Sequence, residues 1–72
     1  MADKNTQHKI VTGDLLNYVY MLSNGATVND VAIFYELKIR TLEAKLLAAR
    51  KQFEVENTTH LVAYFLRNNL IK

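Results

Sequence analysis

Between Ile39 and Phe53 the chain runs for fifteen residues without a glycine or a proline, and four of its apolar residues keep one period from end to end. Leu42, Leu46, Ala49 and Phe53 stand at i, i+4, i+7 and i+11, the spacing of a single buried stripe on an α-helix. A strand would alternate from one residue to the next. The stretch therefore predicts a helix of about four turns, and whatever else folds has to pack against it. The remainder offers no proline and only two glycines, Gly13 and Gly25. A chain so rarely interrupted points to further helices and to an all-α fold.

Three shorter helices are predicted around the long one. The first starts near Thr12, with Asp14 in its opening turn, where a negative charge suits the helix dipole. Leu15, Leu16, Val19 and Leu22 form its stripe, while Tyr18, Tyr20 and Met21 fall partly off it. Ser23-Asn24-Gly25 ends it, and Gly25 suits the left-handed residue just past a helix end. Thr27 followed by Asp30 resembles a capping box, so the second helix is expected from Val28 to about Glu36, with Val28, Val31, Ala32 and Tyr35 inward. A tight turn around Leu37 leads into the long helix. Glu54 to Asn57 breaks the pattern, with Val55 tucked inward. Asn57 or Thr58 then caps a fourth helix from Thr59 to about Asn68. The expected core is Leu16, Val19, Leu22, Val31, Leu42, Leu46, Ala49, Val55, Val62 and Leu66. His60, Leu61 and Tyr64 are left on the outer flank of the fourth helix.

Seventy-two residues hold one small domain, read as residues 10–72 behind a polar tail over residues 1–9. A core of this size supplies roughly 3–5 kcal/mol. With no cysteine to form a disulfide or a thiolate metal site, a partner subunit is the remaining way to add buried surface. The opening MADKNTQHK has no apolar segment and is not a signal peptide. No run reaches the ~18 apolar residues of a membrane span. A cytoplasmic protein is expected.

Catalytic chemistry finds no foothold. His8 and His60 are too few and too distant for a metal site. There is no Ser/His/Asp or Cys/His arrangement and no glycine-rich phosphate loop. Glu36, Glu43, Glu54 and Glu56 read as solvated charges. Neither an enzyme nor a cofactor, metal or small-molecule ligand is expected.

Charge is placed unevenly. The net charge is +2, yet Lys38, Arg40, Lys45, Arg50 and Lys51 face a single acid, Glu43, within one fourteen-residue stretch. That stretch carries +4 and the rest of the chain −2. Opposite its buried stripe the long helix shows Arg40, Ala44, Leu47, Ala48 and Lys51, flanked by Lys38, Lys45 and Arg50. Small and apolar residues ringed by cations suit a polyanion. An apolar outer face also suits a protein partner.

The stretch from LSNG onward, LSNGATVNDVAIFYELKIRTLEAKLLAARKQFEVENTTHLVAYFLRNNLI, resembles the LuxR/FixJ-type (GerE-like) helix-turn-helix domain. Val11-Thr12 matches the family's apolar-Thr start, Leu22 and Gly25 the end of the first helix, and Thr27-x-x-Asp30-Val31-Ala32 the second helix. Leu37-x-x-x-Thr41-Leu42 matches the recognition helix, Phe53-x-Val55 the following turn, and Thr59-x-x-Val62-Ala63-Tyr64 the fourth helix. The spacings hold without an insertion from Val11 to Ile71, about five-sixths of the chain.

The resemblance implies a small bacterial, phage or plasmid transcription regulator that binds duplex DNA as a homodimer. It places Ile39 to Phe53 in the major groove and gives a DNA-binding surface of Lys38, Arg40, Thr41, Glu43, Ala44, Lys45, Leu47, Ala48, Arg50 and Lys51. Small residues let such a helix approach base edges, and apolar ones meet thymine methyl groups. Lysines and arginines around them reach phosphates. The fourth helix, through His60, Leu61 and Tyr64, would carry the dimer contact. The sequence departs from the family at Asp14-Leu15-Leu16-Asn17 in place of Arg-Glu-x-Glu, and at Lys38 in place of the capping serine. Glu43 stands where the family has a lysine, Lys45 where it has a histidine, and Thr58 where it has an arginine. Glu43, Leu47 and Thr58 favour the alternative: a domain of the same fold that has lost DNA affinity and pairs with another transcription regulator to block it.

Overall fold

The computed structural model describes residues 11–72. The tail expected over residues 1–9, with His8, lies outside them. Within them the chain forms α1 (Gly13–Ser23), α2 (Val28–Phe34), α3 (Ile39–Phe53) and α4 (Thr58–Arg67). No strand occurs among the described residues. Each helix packs on the next, and α1 closes the set against α4.

Side-chain chemistry fixes where three of the helices begin. The Thr12 hydroxyl accepts the Leu15 N–H at 3.1 Å, and the Asn57 Oδ1 accepts the His60 N–H at 2.8 Å. Thr27 and Asp30 form the full capping box, each side chain accepting the other's backbone N–H at 3.0 Å. These bonds hold the Asp30 carboxyl below its ordinary range, the backbone Thr27 N–H first and the Thr27 side chain second. α3 is the exception. Its N-cap is Lys38, which makes no side-chain cap bond, and no acid occupies its first turn.

All four helices stop in the same way. Gly25, Glu36, Glu54 and Asn69 adopt positive φ, at 98°, 56°, 59° and 58°. The next residue's N–H returns to a carbonyl five positions back, as in Ala26 to Met21, Leu37 to Ala32, Val55 to Arg50 and Leu70 to Phe65. This is the Schellman arrangement, which satisfies carbonyls left over at a helix end. The apolar residue that follows the left-handed one is drawn inward in three of the four cases. Ala26, Leu37 and Val55 all pack against the core. Every connection is consequently four residues long.

The core consists of Leu15, Tyr18, Val19, Val31, Ala32, Leu42, Leu46, Ala49, Phe53, Leu61, Phe65 and Ile71. The stripe expected on α3 is buried as a whole. Two helices turn differently from expectation. On α1 Tyr18 is buried and Leu16 only partly so, because the Tyr18 ring meets the edge of Tyr35 at 5.2 Å. Burial, then the Asp14 carboxylate and Tyr35, raise the Tyr18 hydroxyl's pKa. On α4 the period places Val62 and Leu66 inward, whereas the structure buries Leu61 and Phe65 completely and leaves Leu66 43 % exposed. Residues 61–66, LVAYFL, are all apolar, so periodicity has no polar face to orient them. The aromatic ring of Phe53 does: it packs edge-on to Phe65 at 5.4 Å and against Tyr64 at 5.0 Å. Leu22, Val55 and Val62 are half-buried at the core's margin.

Candidate nucleic-acid interface

α3 owes its position to what it buries. Leu42, Leu46, Ala49 and Phe53 lock one side of it against the other helices, which fixes the direction of every other residue on it. The residues expected on the opposite side are where the period puts them. Arg40, Thr41, Glu43, Ala44, Lys45, Leu47, Ala48 and Lys51 are all exposed, as is Lys38 at the cap. No other helix covers them.

Arg50 is the exception within the expected set. It is half-buried, and its Nε is shielded from solvent without a hydrogen-bond partner among the described residues. It lines a cleft of about 260 Å³ with Val28, Glu43, Leu46, Leu47 and Thr58. Its hydrocarbon stem is therefore packed, and only the guanidinium tip is left to reach outward. Glu43 opens into the same cleft. On the other flank Lys45, Ala48 and Gln52 line a cleft of about 310 Å³ against Thr12, Asp14 and Tyr18 of the α1 region. The two flanking cations thus stand on opposite edges of α3, with Ala44, Leu47 and Lys51 between them.

The charges of this helix act on it in opposite senses at its two ends. Arg50 and Lys51 in the last turn favour the negative end of the dipole. Lys38 and Arg40 sit at the positive end, where α1 and α2 place Asp14 and Asp30. Cations at a helix N-terminus cost a few tenths of a kcal/mol each, up to about 1.

The residues expected to form a dimer contact are not brought together on one outer face. His60 is exposed, Tyr64 is half-buried against Phe53, and Leu61 is sealed in the core. Burial of Leu61 removes it from any contact with a second molecule. α4 carries a different line on its outer side: Thr59 and Leu66 are exposed there, with Val62 and Ala63 half-buried between them, spaced i, i+3, i+4 and i+7. The Val62-x-x-x-Leu66 spacing is plain in the sequence, but the packing of Phe65 on Phe53 turns Leu61 and Phe65 inward in its place.

Sequence reasoning missed a second surface altogether. Ile33 and Phe34 on α2 are 68 % and 67 % exposed. A seven-residue helix can turn only one narrow face inward, and Val31 and Ala32 occupy it. Among the described residues no group of three or more His, Cys, Asp and Glu could hold a metal ion, and no helix is long and apolar enough to cross a membrane. No family model matches the chain, and neither a curated protein nor a solved structure matches it.

Proposed function

We propose that the chain is a small helix-turn-helix module of the LuxR/FixJ type, a transcription regulator that binds duplex DNA as a homodimer. The observation that carries this reading is the outer side of α3. It is uncovered, positive at both ends and small or apolar in the middle, and it follows a short helix across a four-residue turn. A helix of that profile fits the major groove, with α2 resting above it. Lys38, Lys45 and Lys51 meet phosphates and set register, and Arg40, Ala44, Leu47 and Ala48 face base edges. The dimer forms through the outer line of α4, with Leu66 in the role first expected of Leu61.

Binding to labelled duplex DNA across a salt series tests the reading. Affinity should fall steeply with salt, the log–log slope being about −0.9 per phosphate neutralised. Arg40→Ala and Lys51→Ala should each weaken binding. A specific observation favours a second reading: Glu43 puts a carboxylate on the flank of this face, in the cleft that Arg50 also lines. If every duplex fails to bind at moderate salt while Arg40→Ala and Lys51→Ala impair association with another transcription regulator, the domain is an antagonist. Glu43→Lys then separates the roles of that carboxylate. A base-reading Glu43 accepts from a cytosine amino group, and its loss relaxes discrimination at one base pair by roughly 1–3 kcal/mol. A merely repulsive one, once replaced, leaves binding tighter on all sequences and the salt slope steeper by about one phosphate contact.

A further inference from the structure

The middle of the α3 outer face has no hydrogen-bonding side chain. Ala44, Leu47 and Ala48 are exposed there, Leu47 by 42 %, while Arg40 and Lys51 bracket them one turn away on either side. A helix seated in the major groove presses these three residues against base edges. Most of those edges are hydrogen-bond donors and acceptors, and an alkyl group set against them displaces water and returns nothing. One major-groove group is apolar, the C5 methyl of thymine. A leucine held rigidly in the centre of a cationic face is productive only over such methyls.

Given the proposal that α3 enters duplex DNA, on which this step rests, we infer that the face selects its sites by thymine methyl groups, through adjacent T·A base pairs beneath Ala44 and Leu47. Ala44 and Leu47 stand at i and i+3 on one exposed face, with Cβ atoms about 5–6 Å apart, so the two side chains together cover neighbouring base pairs stacked about 3.4 Å apart. The rigid burial of Leu42, Leu46 and Ala49 on the other side holds the register. Cations on both flanks supply the charge complementarity that brings the duplex to this face.

The test removes the methyls and nothing else. A duplex is selected from a pool with a random core and resynthesised with deoxyuridine in place of every thymidine in that core. Base pairing and phosphates are unchanged. The wild-type protein should bind the uracil duplex about tenfold more weakly, equivalent to about 1.4 kcal/mol. Leu47→Ala, at an exposed position that leaves helicity intact by circular dichroism, should show a penalty of no more than about twofold between the two duplexes. Equal wild-type affinity for both duplexes overturns the inference and leaves DNA binding standing. A full penalty retained in Leu47→Ala also overturns it, since the methyls would then act through duplex shape. Failure to select any duplex overturns the premise instead, and is told apart by the absence of salt-dependent binding.

Discussion

Leu61 and Leu66 are the same residue type on the same helix, and packing gives them opposite fates. Leu61 sits at zero exposure in the same core as Phe65 and Phe53, so removing its side chain leaves a cavity that rigid aromatic rings do not close. Leu61→Ala should cost roughly 2–5 kcal/mol, comparable with the whole stability of a domain this small. Leu66→Ala should change stability by less than about 1 kcal/mol. Urea unfolding followed by circular dichroism compares them, and equal losses would show that α4 is turned otherwise. The same pair marks a limit of periodicity. On α3 charged and polar residues separate the Leu42, Leu46, Ala49 and Phe53 stripe from the outer face, and the buried side is legible residue by residue. On α4 six apolar residues in a row leave the choice to Phe53, which belongs to another helix. Tyr18 escapes the pattern for a related reason: its partner Tyr35 lies across the fold and not along it.

Helix boundaries were more legible than helix faces, because the signals that set them are local. Thr12, Thr27 with Asp30, and Asn57 all cap as their chemistry suggests. The stops were only half legible. Gly25 announces a left-handed residue, and Asn69 tolerates one. Nothing about Glu36 or Glu54 does so, yet both hold φ near 60°, where a Cβ crowds the following carbonyl. Replacing either by glycine relieves that crowding at some cost in unfolded-chain entropy. Glu36→Gly and Glu54→Gly should each raise stability by about 0.5–1 kcal/mol, read as an upward shift in melting temperature. Unchanged or lowered melting would count against the left-handed geometry there. The capping box of α2 has a pH dependence of definite sign. The folded Asp30 carboxyl titrates below its ordinary value of 3.8, so its contribution is complete above that value and is lost as pH falls through the depressed one. An acid titration of helicity should therefore be shallower in Asp30→Asn, which begins without the charged box. An identical acid limb in both proteins would show the box to be unimportant.

At the level of the whole molecule the proposed dimer sets the outer side of α4 between two copies. Leu66 is 43 % exposed, on the side of α4 turned away from Leu61 and Phe65, so a charge placed there spares the core and tests the proposed partner contact. Leu66→Glu should move sedimentation toward the monomer without loss of helicity, and should weaken binding to a two-half-site duplex far more than to a single half-site. A wild-type protein that sediments as a monomer at high concentration, with and without DNA, would remove the dimer. The uniform four-residue connections carry a consequence of another kind. Neighbours in space are mostly neighbours in sequence, so little chain has to be searched before a contact forms, and helical domains of this topology fold in microseconds to milliseconds. Reclosing so quickly outpaces a protease, and turnover then follows the fraction of molecules open at equilibrium rather than the rate of opening. A ligand that holds only the folded form lowers that fraction in proportion to its occupancy. On the proposed function, copies seated on DNA would outlive free ones, and the amount of the protein would be tied to the number of sites available to it.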